Sequence, residues 1–281
     1  MFTLHDISRY YDLSEVHYRR FWNLEKSRSL HYGYWDATTK SFLEALLNIN
    51  KVLADWAGIK TGDVVLDAGC GVGGSSLWLA SERNCLVTGI SLNQRQIVTA
   101  TSNGKRAGLS NSVKFEQNNY LATGYPAGSF DVVWAIESVC YADDKKEFMT
   151  EAYRLLKIGG RLIVADFFKN TGLKEKEELA VKTWANGWAI NSFSTTKDFY
   201  NQLTEIGFDK IQLQDASEAI MPSAKRLYRS YFIGKPFSLL YNLFHRKVSR
   251  LSKNNVNTAY QQYKTLKKGW WQYQLFKAVK S

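Results

Sequence analysis

Five short runs of apolar and often β-branched residues mark the middle of the chain, each bounded by glycine, asparagine or aspartate. They are VVLDAG (64–69), CLVTGI (85–90), VKFEQ (113–117), FDVVWAI (130–136) and RLIVADFF (161–168). Runs of this length and composition are typical of strands buried on both faces.

Helical patterns separate these runs at 74–81, 94–107 and 145–156, the last ending at KIGG (157–160). Strands that alternate with helices imply right-handed crossovers and a largely parallel sheet covered on both faces. The predicted fold class is therefore α/β. Segments 1–60, 169–208 and 216–264 have mainly helical patterns and are expected to lie outside the sheet.

Composition narrows the class of protein. The chain has 281 residues, of which 45% are hydrophobic, 22% are charged and 3 are proline, which argues against disordered and collagen-like proteins. No apolar run approaches the roughly 18 residues of a membrane span, and the acids in MFTLHDISRYYD do not fit a signal peptide. We expect a cytoplasmic protein. Cys70, Cys85 and Cys140 lack CxxC spacing, so neither disulfides nor a metal site is expected.

The net positive charge of the chain comes from its last 57 residues. Residues 225–281 hold 13 of the 37 Lys and Arg residues, none of the 26 Asp and Glu residues, and 12 aromatic residues. Basic residues interleaved with aromatic ones favour anionic partners such as lipid headgroups, a phosphorylated substrate or nucleic acid. The alternative is a solvated helix face whose aromatic side chains pack on the main domain. Contact with a membrane surface through this basic aromatic segment is therefore one expectation.

A glycine-rich turn follows the first predicted strand in DAGCGVGG (67–74). Asp67 is followed by Gly69, Gly71 and Gly73, which allow a tight turn and close approach of a ligand to the backbone, with a helix N-terminus beyond. A dinucleotide-binding site would need wider glycine spacing and an acid about 20 residues on, where Ser91 stands.

The turn and its successors resemble class I S-adenosylmethionine-dependent methyltransferases. LDAGCGVGG is similar to their motif I and is followed in family order by VTGISLNQRQ, KFEQNNY, FDVVWAIESVCY and LLKIGGRLIVADFF. AIESVCYAD, SLHYGYWD and the ending QQYKTLKKGWWQYQLFKAVK resemble the sterol, tocopherol and terpenoid C-methyltransferase branch. The resemblance implies a Rossmann-like, mostly parallel sheet of seven strands with a mainly helical cap.

The resemblance also implies a cofactor site for S-adenosylmethionine, with S-adenosylhomocysteine as product. Gly69, Gly71 and Gly73 would line the methionine moiety, and Asp67 would fix the loop or reach the amino group through water. Ser91, Asn93 and Gln96 stand where most class I members hold the ribose with an acid. Asn119, or else Asn118, would accept a hydrogen bond from adenine, although asparagine is also common in turns after strands.

Methyl transfer to an alkene carbon needs aromatic faces around a cation and one base. Glu137, at the end of the fourth predicted strand, is the candidate base, and Tyr141 the candidate shield; the alternative for Glu137 is a helix cap. The resemblance implies lid or substrate contacts for Tyr11, Trp22, Tyr32, Trp184 and Trp188, although such aromatic residues are more often core. His31 is a candidate base for an O- or N-methyltransferase, or a structural histidine.

The sequence thus predicts methyl transfer to a small lipophilic isoprenoid or sterol-like acceptor, with carbon favoured. An oxygen or nitrogen acceptor on a natural product or phospho-head group is the alternative. A nucleic-acid methyltransferase would want an NPPY-like motif, which is absent, and a noncatalytic binding protein would be expected to lose the glycine turn. The expected organisation is a helical arm and lid (1–60), a cofactor-binding core (61–168), a lid insertion (169–208) and the end of the sheet with the inserted basic aromatic segment (209–281).

Overall fold

The fold was described from a computed structural model that places residues 1–22, 24–244 and 250–281, with side chains for 1–12, 22, 24–232 and 257–281. The middle of the basic aromatic segment therefore lies outside the described residues. The described helices are α1 (Leu4–Phe21), α2 (Leu24–Ser27), α3 (Phe42–Ala57), α4 (Gly74–Arg83), α5 (Gln94–Arg106), α6 (Lys145–Leu155), α7 (Glu175–Gly187), α8 (Thr196–Ile206), α9 (Ser217–Phe244) and α10 (Arg250–Lys267). The described strands are β1 (Val64–Ala68), β2 (Leu86–Ser91), β3 (Val113–Gln117), β4 (Phe130–Ile136), β5 (Leu156–Lys169), β6 (Phe208–Asp215) and β7 (Trp271–Lys280).

These strands form a single seven-stranded sheet in the order β3-β2-β1-β4-β5-β7-β6. The first five strands in this order pair in parallel, whereas β7 runs antiparallel to both of its neighbours. The predicted α/β class and the seven-stranded, mostly parallel sheet are confirmed.

All five strands predicted from apolar runs are present, but β5 begins earlier than predicted. The KIGG segment, interpreted as punctuation after a helix, belongs to β5, which starts at Leu156 immediately after α6. Leu156 pairs with Phe130 at the start of β4, and a register shift between Phe130 and Val132 accommodates the turn at the two glycines. The edge strand β6 was missed because most of its residues are exposed and polar.

Side chains alternate between the two faces of the central strands, as the pleat requires. On β4, Val132 and Trp134 enter a core shared with α3, α4 and α7, whereas Val133 and Ala135 enter a second core shared with α6 and α8. Both faces are therefore covered, which explains the continuous apolar runs in the sequence.

The segment SLHYGYWD runs between the sheet and the paired helices α9 and α10. The Gly33 N–H donates to Ser223 Oγ at 3.1 Å, and the Tyr32 hydroxyl donates to Gln262 Oε1 at 2.7 Å. Gly33 has no room for a side chain, because a Cβ there would lie 2.6 Å from the Cβ of Ala45. These contacts attach the C-terminal helices to the segment beside the end of β4. Across the described part of the chain, no helix is long and apolar enough to cross a membrane.

Candidate active site

A cavity of about 820 Å³, including its open mouth, lies at the carboxyl ends of β1, β2 and β4. The strand order reverses here, because the chain continues from β1 to β2 on one side and from β4 to β5 on the other, and open α/β sheets bind ligands at such a point. Its walls include ten of the predicted site residues, which are Tyr11, His31, Asp67, Gly69, Gly71, Ser91, Asn93, Gln96, Glu137 and Tyr141. Gly73 is not among the described lining residues, although its neighbours Val72 and Gly74 are.

The glycine turn after β1 takes backbone angles that side chains disfavour. The φ angles of Gly69, Gly71 and Gly73 are 104°, 54° and 89°, all in the left-handed region. A Cβ at Gly69 would collide with the Cβ of Ser138 and lie 2.9 Å from its Oγ. Ser138 in turn donates to the Ala68 carbonyl at 2.6 Å, so the turn after β1 and the turn after β4 are packed together.

Asp67 anchors this turn to α4. Its Oδ2 accepts a hydrogen bond from the Ser76 hydroxyl at 2.5 Å, and the carboxyl is almost fully buried. Burial is the main cause that raises the pKa of Asp67 to about 6, while the bond from Ser76 opposes it. The carboxyl both fixes the loop and contributes to the cavity wall.

The three polar residues after β2 form one connected group. Ser91 Oγ donates to Gln96 Oε1 at 2.7 Å, and Asn93 Oδ1 caps α5 by accepting from the Gln96 N–H at 3.0 Å. The Asn93 amide also donates to the Ser8 carbonyl at 2.9 Å and to Asp12 Oδ1 at 3.0 Å. Asn93 thereby holds α1 against the mouth of the cavity.

Asn118 and Asn119 are used in the turn after β3. Asn119 Oδ1 accepts from the Leu121 N–H at 3.0 Å, while Asn118 Oδ1 accepts from the Asn119 N–H at 2.8 Å. Neither is among the described residues that line the cavity, although Tyr120 is. These bonds match the turn alternative raised from the sequence, and contact with adenine stays a prediction for both residues.

Glu137 follows β4 with a φ angle of 49°, which is unusual for a residue with a side chain. Its Oε1 accepts the Tyr32 N–H at 2.7 Å and the Tyr273 hydroxyl at 3.0 Å. The short 3-10 helix of residues Val139–Tyr141 has Ser138, not Glu137, as its N-cap. The helix-cap alternative for Glu137 is therefore not the one that this helix uses. Both of these hydrogen bonds fall on Oε1, and Glu137 is one of the residues that line the cavity.

Burial in the cavity raises the pKa of Glu137 well above its ordinary value, with the nearby charge of Asp166 acting in the same direction. The hydrogen bonds from Tyr32 and Tyr273 oppose this shift. Tyr11 and Tyr141 both line the cavity, and their rings contact each other with centroids 5.8 Å apart. A proton acceptor and aromatic rings therefore share this space.

His31 is buried beside the same cavity. Its Nδ1 lies 2.9 Å from the Tyr32 carbonyl, which assigns the proton to Nδ1 and leaves Nε2 as an acceptor. Nε2 has no partner among the described residues, and burial lowers the pKa of the ring to about 4. His31 is thus neutral at physiological pH.

Of the five aromatic residues predicted to contact the lid or substrate, one lines the cavity and four lie outside its described lining. Tyr11 lines the cavity, whereas Tyr32 is buried behind it and holds Glu137 through its backbone. Trp22 donates to the His31 carbonyl at 2.8 Å and so supports the wall from behind. Trp184 is fully buried against Phe193, and Trp188 packs on Tyr32 at 6.0 Å between ring centroids. Direct substrate contact by Trp22, Tyr32, Trp184 and Trp188 stays a prediction, since none of the four is among the described lining residues.

The sequence reasoning missed several residues of this site. Tyr273 reaches Glu137 from β7, and Tyr120 donates to the Ser138 carbonyl at 2.8 Å. Tyr120 and Ser138 adjoin predicted site residues, so extending each motif by one position would have found them. Arg28 and Leu30 also line the cavity, but no local signal distinguishes them or Tyr273, because their roles arise from contacts between distant segments.

Comparison with known proteins places the chain in a family. Residues 66–164 match the family described as a methyltransferase domain. The chain is 30% identical over 221 residues to 27-O-demethylrifamycin SV methyltransferase of Amycolatopsis mediterranei, covering 79% of this chain and 80% of that protein. It is 29% identical over 215 residues to a sterol 24-C-methyltransferase of Gibberella zeae, covering 74% of this chain and 54% of that protein.

Among solved structures, the fold is similar to geranyl diphosphate C-methyltransferase from Streptomyces coelicolor A3(2) in complex with Mg²⁺, geranyl diphosphate and S-adenosylhomocysteine. The TM-score is 0.74 at 19% identity, and the match covers 99% of this chain and 97% of that chain.

The residues of the cavity fit S-adenosylmethionine as cofactor. The left-handed glycines keep the backbone after β1 free of side chains, and the N-terminus of α4 faces the same space. Ser91, Asn93 and Gln96 supply hydroxyl and amide groups beside it. The chain belongs to the class I S-adenosylmethionine-dependent methyltransferases.

Proposed function

We propose that this enzyme methylates an alkene carbon of a small, lipophilic, isoprenoid-like acceptor. Glu137 then removes a proton from the carbocation that methylation produces. The observation that carries the proposal is the Glu137 carboxyl, which two hydrogen bonds hold through Oε1 and which lines a cavity with aromatic walls. Relatives named as a sterol 24-C-methyltransferase and a geranyl diphosphate C-methyltransferase support this acceptor class.

S-adenosylmethionine supplies a methyl group on a positively charged sulfur, so the protein has to align the acceptor and exclude water. The glycine turn and Asp67 would position the cofactor, while α1, held by Asn93, covers the mouth of the cavity. When the new carbon–carbon bond forms, positive charge develops on the acceptor. The rings of Tyr11 and Tyr141, which line the cavity, would stabilise that charge.

Glu137 would then accept the proton on Oε2, which restores the double bond. Tyr32 and Tyr273 hold Oε1 and so fix the direction of the carboxyl group. Because burial raises the pKa of Glu137, the carboxylate is a better proton acceptor than an exposed one. The same shift means that activity should rise with pH as Glu137 loses its proton.

The test incubates the purified enzyme with deuterated-methyl S-adenosylmethionine and a solvent extract of the cells that make it. We expect the label in the organic phase, attached to carbon by mass spectrometry and NMR. Glu137→Gln should lower turnover by about 10²-fold or more while cofactor affinity is kept. Tyr153→Phe, which changes a tyrosine on α6 packed against Phe208, is the matched control. Label on oxygen alone, or full activity of Glu137→Gln, would contradict the proposal.

O-methylation of a natural product is the second candidate function. One observation favours it: His31 Nε2 is buried, unpartnered among the described residues and part of the cavity wall, so it can accept the proton of an acceptor hydroxyl. The relative named 27-O-demethylrifamycin SV methyltransferase supports this alternative. In the same assay, label on oxygen together with inactivity of His31→Ala and activity of Glu137→Gln would select it.

A further inference from the structure

Five aromatic rings cluster on the paired helices α9 and α10, away from the cavity. Tyr228 lies 5.1 Å from Phe232 and 4.8 Å from Tyr263, and Tyr231 lies 5.1 Å from Tyr260, measured between ring centroids. None of the five is fully buried, and Phe232 is 55% exposed. We call these five residues the hairpin aromatic cluster. Four of the rings are half-buried and Phe232 is exposed, and a cluster of large aromatic side chains that reaches the surface in this way is typical of an interaction surface.

Exposed cations lie on the same two helices as the cluster and just after them. Lys225 and Arg229 share the face of α9 that carries Tyr228 and Phe232, because residues three, four and seven apart are neighbours on a helix. The Lys264 ammonium lies 5.9 Å from the ring centroid of Tyr228 and 5.6 Å from that of Tyr260. The exposed basic residues of the described parts of this region are Lys225, Arg226, Arg229, Lys264, Lys267 and Lys268.

This positive charge is not neutralised within the region. No Asp or Glu occurs from residue 225 to the end of the chain, and none of the six cations forms a salt bridge with a described acidic side chain. Aromatic rings that prefer the headgroup layer and unpaired cations beside them complement an anionic lipid surface.

The cluster is also connected to the proposed active site. Gln262, on the same helix as Tyr260 and Tyr263, accepts the Tyr32 hydroxyl, and the Tyr32 N–H binds Glu137. The helices that carry the hairpin aromatic cluster are therefore joined by hydrogen bonds to the residue proposed to act on the acceptor. A lipophilic acceptor dissolved in a bilayer would then be close to the enzyme that uses it.

We infer that the hairpin aromatic cluster and its cations form a docking surface for an anionic lipid bilayer. The surface is peripheral, with the rings at headgroup depth and the cations beside the phosphates. Nucleic acid is less favoured, because no two of the five described rings stack face to face. Phe232 meets Tyr228 and Tyr231 at 80° and 84°, and the other ring pairs of the cluster are inclined by 36° or more. The inference goes beyond the proposed function and does not depend on which atom is methylated.

The test is co-sedimentation of the full-length protein with vesicles of phosphatidylcholine alone or mixed with phosphatidylserine, without cofactor or acceptor. We expect binding only to the mixed vesicles and loss of binding as salt is raised. Each basic residue at such a surface is worth about fivefold in partitioning, so Lys225→Gln with Arg229→Gln should weaken binding by about 10-fold or more. Phe232→Ser should weaken it further.

The matched control is Lys51→Gln with Lys105→Gln, which removes two exposed charges from α3 and α5 and should leave vesicle binding unchanged. Equal binding to neutral and anionic vesicles, or equal loss in the control, would overturn the inference. So would tighter binding of an oligonucleotide than of vesicles at the same salt. Self-association that Phe232→Ser abolishes, without vesicle binding, would assign the surface to a second copy of the chain. Activity on a solubilised acceptor tests the proposed function separately.

Discussion

Removing the Tyr273 hydroxyl should make Glu137 harder to ionise. In Tyr273→Phe, Oε1 of Glu137 loses the donor at 3.0 Å but keeps the Tyr32 N–H at 2.7 Å. A hydrogen bond to an ionised group contributes about 1.5 to 3 kcal/mol, and one to a neutral group about 0.5 to 1.5 kcal/mol. The difference of about 1 to 1.5 kcal/mol corresponds to about one pH unit in the titration midpoint.

The sign follows from which form gains more from the bond. The tyrosine hydroxyl stabilises the carboxylate more than the neutral acid, so its removal raises the pKa of Glu137, which burial already places above its ordinary value. The alkaline side of the activity profile should be preserved, whereas activity at lower pH should fall. The ring of Tyr273 and its packing against Phe167 are kept in the phenylalanine variant.

A carbon-detected NMR titration of glutamate-labelled protein measures this pKa without an acceptor. The resonance that disappears in Glu137→Gln identifies Glu137, and its midpoint should move upward by about one pH unit in Tyr273→Phe. Tyr153→Phe, the control on α6, should leave the midpoint in place. An unchanged or lowered midpoint in Tyr273→Phe would refute the assignment of Tyr273 as the residue that positions and tunes Glu137.

Three further outcomes are expected. The pKa of Glu137 is raised in the folded state, so its contribution to stability is present below the ordinary carboxyl pKa and is lost as pH rises through the raised value. Glu137→Gln removes this loss. Measured by urea unfolding, the variant should therefore gain stability relative to the native protein as pH rises from acid to neutral. Gly69→Ala should lower the free energy of unfolding by about 2 kcal/mol or more, because the new Cβ collides with Ser138 and the backbone is left-handed. Gly108→Ala is the control, since Gly108 has a φ of 70° but open space around its Cβ, and it should lower the free energy of unfolding by less. Asn93→Ala should destabilise the protein by about 1 kcal/mol through loss of the α5 cap. It should also speed amide hydrogen exchange in residues 4–12, because the bond from Asn93 to α1 is lost. Unchanged exchange there would show that Asn93 does not hold α1 in place.

The sequence by itself determined the α/β fold, the central strands and the cofactor turn. These features have local causes: buried parallel strands need continuous apolar runs, and a turn with three left-handed residues needs glycine. Ligands of open α/β sheets bind at the carboxyl ends of the strands, so a residue directly after a predicted strand is a candidate for the site. Glu137 could be selected from the sequence for this reason.

Only the tertiary structure decided which groups surround Glu137. The Tyr32 N–H and the Tyr273 hydroxyl reach it from 105 and 136 residues away, and neither pairing leaves a periodic or spacing signal in the chain. The same holds for Asn93, whose hold on α1 spans 85 residues, and for Gln262, which reaches Tyr32 across 230. Hydrogen-bond partners that are distant in sequence are brought together by packing, so the polarity and orientation of the site are properties of the folded chain.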